Sequence, residues 1–337
     1  MEKVNDLNKP VWFLNPWFDI LILAGFPIAF IFIPLICYAW IHSPKFEYYL
    51  YAASNLPHVF AGYTVVYLSQ KAYKEKPITF LWIPLFIIIA TIIFWQPRYY
   101  RQILHIRFFW GMWHVAIQFF YILSFYKLRN LDYLRIDKIL DTLALAAGPV
   151  YLYLSYYVRL ILKPQADIIY KVSFVEQLLK YSVMFTWIIA VAFIARQVYL
   201  FIRWKKVYLF KFLMIPIVIL IYVVPLLIFK DIHAASQAVI AMHNVQYVSW
   251  VWLYYHQRFK GKAVQENRAI SYFFKPGRTG HYVFFFLLAG TLFMLVVMKM
   301  AYLSHDPHLT FKAITGPFAL IHFYLDGRIW KNVNDMM

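Results

Sequence analysis

Charged residues are scarce in this chain of 337 residues, because Asp, Glu, Lys and Arg together make up only 14% of it. Soluble globular domains carry roughly 25% charged residues. Hydrophobic residues reach 63%. The shortage of charge excludes a water-soluble domain of average composition and predicts a chain that lies mostly in lipid.

Cysteine is also nearly missing, since Cys37 is the only one. A single cysteine excludes an internal disulfide, a Cys-x-x-Cys metal or redox motif and a Cys-x-x-Cys-His haem attachment. The sequence lacks the HxxxH and HxxHH boxes of membrane desaturases, HExxH, Walker A, GxSxG and GxGxxG. These absences disfavour desaturases, zinc proteases, P-loop NTPases, α/β-hydrolases and dinucleotide-binding enzymes.

Long apolar runs are the dominant feature that the sequence does contain. Runs of about 20 residues, the length that spans a ~30 Å hydrocarbon core as a helix, recur along the chain. The run Ile78–Trp95 is apolar on every side, as a lipid-facing helix is, whereas the strands of a membrane barrel alternate. We therefore predict an all-α, polytopic integral membrane bundle of about ten helices. The predicted spans are 17–42, 47–70, 78–95, 102–127, 140–162, 180–203, 207–229, 232–257, 281–303 and 309–330.

The positive charges predict the orientation of these spans. Lys and Arg are about twice as frequent in the loops on the side of the two termini, and cytoplasmic loops retain positive charge. We expect a cytoplasmic tail over 1–16, one transmembrane domain over 17–330 and a C-terminal tail over 331–337, with both termini cytoplasmic. The formal charge of +18 is spread through the loops, so no nucleic-acid partner is expected. The predicted location is a cell membrane, with the bacterial inner membrane as first choice.

Four of the eleven histidines fall in the middle of the second, fourth, eighth and tenth spans, one in each: His58, His114, His243 and His322. They lie about 11 to 13 residues from the outer end of each span, so they share one depth to within roughly a helical turn. Imidazole is a common ligand of iron, copper and zinc, and ionisable residues inside a membrane are functional candidates. We predict a metal site, with iron as first choice and copper, zinc or haem b as alternatives. The competing interpretation is four core histidines that hydrogen-bond across helices.

A second set of polar residues follows these histidines at a spacing of four, which places side chains on one helical face. Gln118, Tyr247 and Asp326 follow His114, His243 and His322 in this way. Tyr247 is a candidate proton donor. Asp326 either joins the metal ligands or orients one of them, and the alternative for Asp326 is an ion pair with Arg328 or another cation.

Two further residues are candidates for binding a cofactor or its surrounding water, as Gln118 is. Asn55 precedes His58 by three residues, and Arg107 precedes His114 by one heptad. A buried Arg107 would bind an anionic headgroup or a carboxylate. Alternatively, its guanidinium extends to the membrane interface.

Single histidines on separate membrane helices resemble two kinds of known protein in their arrangement. One kind holds b-type haem by pairs of axial histidines, and the other comprises the Brp/Blh carotene-cleaving oxygenases, with an iron held by histidines. The first resemblance implies electron transfer. The second implies an oxygenase with a hydrophobic substrate.

Our first hypothesis is a membrane metalloenzyme, a non-haem iron oxidoreductase or oxygenase that acts on a lipidic substrate at the histidine cluster. Its partners would be membrane lipids, a hydrophobic small molecule and a redox partner. The first alternative is a b-type haem electron-transfer protein. The second is a transporter that uses the histidines as a proton or metal relay.

Overall fold

The computed structural model describes residues 12–25, 55–67, 74–95, 99–132, 134–162, 169–205, 208–228, 232–259, 272 and 277–329. This part of the chain is all-helical and contains no strand. Its helices are α1 (Pro16–Phe18), α2 (Leu56–Tyr67), α3 (Ile83–Phe94), α4 (Tyr100–Arg129), α5 (Arg135–Tyr156), α6 (Ile169–Trp204), α7 (Leu209–Ile228), α8 (Ile232–Phe259), α9 (Thr279–Tyr302) and α10 (Pro307–Ile329). Short π-helical segments continue α1 over Asp19–Leu23, precede α3 over Ile78–Trp82 and continue α5 over Tyr157–Leu162.

Several parts of the sequence prediction lie outside the described residues. These are Cys37, the tail 331–337, most of the tail 1–16, and residues 26–42 of the first predicted span. The start of the second predicted span, 47–54, lies outside them as well.

Five helices are long and apolar enough to cross a membrane: Gln102–Arg129, Arg135–Arg159, Glu176–Trp204, Leu209–Ile228 and Thr279–Tyr302. They coincide with five of the ten predicted spans. Helices α8 and α10 are of similar length but carry more polar side chains, and Ile78–Phe94 is a shorter apolar helix. The all-helical class is therefore confirmed, and five helices have the length and composition of membrane spans. Ten crossings and the orientation of the termini stay predictions.

The chain divides into two compact units, the first formed by Met1–Pro44 with Val115–Gln246 and the second by Lys45–His114 with Tyr247–Met337. In the first unit α5 packs against both α6 and α7. The contact with α7 is close because Gly148 lies against the Tyr222 side chain. Proline is tolerated inside these helices, at Pro149 and at two positions of α7, because neighbouring groups in a bundle can satisfy the freed carbonyls.

Gly148 permits a prediction for the first unit. A Cβ atom at this position would lie 2.8 Å from the Tyr222 Cβ atom. The Tyr222 Cβ atom is bonded to the backbone, so it cannot move away as the end of a flexible side chain could. We expect Gly148→Ala to destabilise the protein by about 1–3 kcal/mol through overpacking. Thermal unfolding in detergent measures this, with Gly280→Ala as control because nothing lies within 4 Å of a Cβ atom there. Equal melting temperatures for the two variants would contradict the close packing of α5 on α7.

The first unit also buries a network of charges near the ends of α4 and α7. The Lys211 Nζ atom lies 2.7 Å from Asp132 Oδ2 and 3.3 Å from Asp141 Oδ2. Lys127 pairs with the same two carboxylates. Because two lysines face two aspartates, the network is neutral overall, and Lys211 is fully buried within it.

In the second unit α2 packs on α9 and α10, and α10 also contacts α3. Each end of α2 joins a different apolar cluster. Leu56 packs with Met294, Val297, Ala301 and Phe311, and Val66 packs with Phe80, Ile321 and Leu325. Both ends of α2 are thereby held in apolar clusters, and His58 lies two residues after Leu56.

Candidate metal centre

Helix α2 presents His58 toward α10. Pro57 directly precedes His58 in this helix. The Nε2 atoms of His58 and His322 are 2.8 Å apart, and their ring centroids are 4.1 Å apart. Both side chains are buried. Two imidazole nitrogens at this distance either share a proton or, after a small separation, bind one ion.

His114 approaches the same pair from α4. Its ring centroid is 4.9 Å from that of His322 and 6.0 Å from that of His58. His114 is also buried. Three imidazoles from three different helices of the second unit therefore converge on one small volume.

Asp326 lies one turn after His322 and faces these rings. Its Oδ2 atom is 3.5 Å from the Nε2 atoms of both His114 and His322. Its Oδ1 atom accepts a hydrogen bond of 2.5 Å from the Tyr247 hydroxyl. The Tyr247 ring in turn lies 4.6 Å from the His58 ring. Arg328, the alternative partner of Asp326, lies over the Tyr324 ring instead.

The fourth histidine is His243 on α8, one turn before Tyr247. One ring nitrogen from each of His58, His114, His243 and His322 can be chosen so that all four lie within 4.8 Å of one another. All four residues are buried. The structure thus brings together the four histidines that the sequence placed at one depth, as a group that can hold a metal ion.

These distances suit a bare metal ion. Two nitrogens bound to one ion at 2.0–2.1 Å lie about 2.8 to 3.4 Å apart at bond angles of 90–109°. The observed separations, 2.8 Å for one pair and at most 4.8 Å for the group, require only small ring movements to reach that range. Imidazole donors with a nearby carboxylate suit iron, copper, zinc or nickel, so the donor set does not choose among these metals.

A close approach of α2 to the site depends on Gly62, one turn after His58. A Cβ atom at this position would lie 2.8 Å from the His322 Nδ1 atom and 2.8 Å from the Tyr247 hydroxyl oxygen. The sequence analysis did not single out this residue. A glycine four residues after a candidate ligand, within an apolar helix, was the available signal for it.

Phe323 is the second residue that the sequence analysis missed. Its ring centroid lies 5.0 Å from that of His114, and the ring packs on Gly111, where a Cβ atom would approach it to 3.0 Å. Phe323 therefore forms an apolar wall beside His114. No pattern in the sequence distinguished it from the other aromatic residues of α10.

The three predicted cofactor-binding residues lie less directly at the histidines. The Gln118 Nε2 atom donates to the backbone carbonyl of His243 at 3.2 Å, so this amide contacts the helix and not the imidazole. Asn55 is partly buried just before α2, and Arg107 is partly buried two turns before His114. Their predicted roles stay predictions.

Fold and site together define a helical, membrane-type protein with a buried four-histidine group able to hold a metal ion. Comparison with protein-family models, with curated proteins and with solved structures finds no match for this chain.

Proposed function

We propose that this protein is an integral membrane metalloprotein in which His58, His114, His243 and His322 hold one metal ion. The observation that supports it is the group of four buried ring nitrogens within 4.8 Å of one another. A single ion can bind one ring nitrogen from each of the four imidazoles at once. Because neutral imidazoles add no negative charge, the bound ion would keep its full positive charge.

A bare ion fits this site better than haem does. A porphyrin iron held by two axial histidines needs both nitrogens on opposite faces of the macrocycle. Nitrogens on opposite sides of one iron, at about 2.0 Å each, would lie about 4 Å apart, whereas the Nε2 atoms of His58 and His322 are 2.8 Å apart. This separation disfavours His58 and His322 as an axial pair of a haem.

The reaction that we propose is oxidation of a lipidic or other hydrophobic substrate by dioxygen, with iron as the metal. Iron bound to imidazoles supplies the redox chemistry. In this proposal Tyr247, hydrogen-bonded to Asp326, holds the proton that the site can donate. The substrate would reach the site from the lipid, and a redox partner would supply electrons.

We further propose that the chain is a multi-pass protein of a cell membrane, the bacterial inner membrane being first choice, with both termini in the cytoplasm. The five long apolar helices support membrane insertion. The excess of Lys and Arg in loops on the side of the termini supports the orientation.

Metal analysis and an absorption spectrum of the detergent-purified full chain test the metal proposal. We expect about one metal ion per chain and no Soret band, with iron predominating. A Soret band would favour haem electron transfer instead. Folded protein without bound metal, which also fails to take up Fe²⁺, Cu²⁺ or Zn²⁺, would refute the metalloprotein proposal and leave a proton relay as the alternative.

A further inference from the structure

Two polar atoms lie beside the Gly62 Cα atom, in the space that a side chain would occupy. The His322 Nδ1 atom and the Tyr247 hydroxyl oxygen would each be 2.8 Å from a Cβ atom on Gly62. Both atoms therefore occupy room that any larger residue would fill. Gly62 lies between the two ends of α2 that are fixed in apolar clusters, so the helix cannot retreat to make space.

The His322 Nδ1 atom is buried, and it has no hydrogen-bond partner among the residues that the structure describes. Its Nε2 atom faces His58 and Asp326. When Nε2 binds a metal ion, Nδ1 carries the proton and has to donate it. Histidines that bind metals almost always donate this second N–H to a carboxylate, carbonyl or water, which fixes the orientation of the ring.

The Tyr247 hydroxyl is a group beside His322 that can accept this proton. It donates its own proton to Asp326 Oδ1 at 2.5 Å, and a phenolic hydroxyl can act as donor and acceptor. It borders the same space at Gly62 as His322 Nδ1 does. One phenol can thus accept from His322 and donate to Asp326 at the same time.

We propose that Tyr247 is the residue that orients His322, by accepting the Nδ1–H bond, and that Gly62 is required to leave the room in which the two meet. This deepens the proposed function and rests on His322 binding metal through Nε2. Tyr247 and Gly62 are positioning residues here, because they act on the metal through His322. The resulting series of hydrogen bonds runs from His322 Nδ1 through the Tyr247 hydroxyl to Asp326. Asp326 also faces His114.

Titration of the metal-depleted full chain with Co²⁺ tests this proposal, because Co²⁺ reports both affinity and ligand geometry through its visible bands. Tyr247→Phe keeps the ring and removes only the hydroxyl. We expect it to bind Co²⁺ about 10–100-fold more weakly and to shift the bands. Tyr63→Phe is the matched control, since it removes a 2.6 Å hydrogen bond to the Phe318 carbonyl elsewhere in the same unit.

Gly62→Ala provides the second variant. Alanine usually stabilises a helix relative to glycine, so weaker Co²⁺ binding there would have to come from the new methyl group. Gly327→Ala is the control, because it adjoins Asp326 yet has nothing within 4 Å of its Cβ position. If both variants act through His322, the losses in the Gly62→Ala and Tyr247→Phe double variant will be less than additive.

The outcomes separate the two proposals. Wild-type protein that binds none of the metals would refute the proposed function itself. Wild-type protein that binds Co²⁺, with unchanged affinity and bands in Tyr247→Phe, would overturn the orienting role of Tyr247 while leaving the metal site intact. Unchanged binding in Gly62→Ala would overturn the role of Gly62.

Discussion

Replacing His322 with alanine is expected to abolish stoichiometric metal binding. The His322 Nε2 atom lies 2.8 Å from His58 Nε2 and 3.5 Å from Asp326 Oδ2, so it faces two other groups of the site. Mutation of a residue that only orients a metal ligand lowers metal affinity by about 10–100-fold. Loss of a ligand itself should lower the affinity by more. Metal content after purification and the dissociation constant for Co²⁺ measure the effect.

His281→Ala is the control for this experiment, because His281 is exposed at the start of α9 and takes no part in the histidine group. We expect it to keep the full metal content. His243→Ala should lose metal as His322→Ala does, since both belong to the group. If His322→Ala and His243→Ala fold and retain the ion as tightly as the wild type, the four histidines are not the ligands.

Replacing Lys211 with alanine is expected to give the largest loss of stability among single substitutions in the first unit. Lys211 is fully buried, and its ammonium group is 2.7 Å from Asp132 Oδ2. Without Lys211, Asp132 and Asp141 share one lysine, Lys127, among the described residues. Breaking a buried ion pair from one side costs about 3–5 kcal/mol because a charge stays buried without compensation. Thermal unfolding in detergent should show a midpoint lower by on the order of 10 °C.

Lys138→Ala is the control for Lys211→Ala, since Lys138 is exposed on α5, and exposed substitutions usually change stability by less than about 0.5 kcal/mol. The double variant Lys211→Met with Asp132→Asn removes one charge of each sign, so it should recover part of the loss. A midpoint for Lys211→Ala within a degree of the wild type would show that the network contributes little to stability.

The position of the four histidines along their helices could be predicted from the sequence because an α-helix rises by a constant 1.5 Å per residue. Counting from the ends of apolar runs therefore places His58, His114, His243 and His322 at one depth. Their direction around each helix axis could not be predicted. That depends on which faces of α2, α4, α8 and α10 pack together, and apolar runs on all sides do not specify it.

Gln118 and Asp326 illustrate this difference. Each follows a histidine by four residues, and the spacing predicts a shared face for both. Asp326 does face His114 and His322. The Gln118 amide donates instead to the backbone carbonyl of His243, because a long side chain takes whichever buried acceptor its neighbours offer.

The sequence by itself determined an all-helical membrane chain and the candidate residues of the site, since hydrophobic length and helical rise are local properties. Only the tertiary structure decided which side chains meet. Lys211 lies near the start of the predicted span 207–229, and it pairs with Asp132, 79 residues away. Gly62 gained its importance only once His322 and Tyr247 were placed against it. Such contacts depend on the packing of helices distant in the sequence, and no local pattern encodes them.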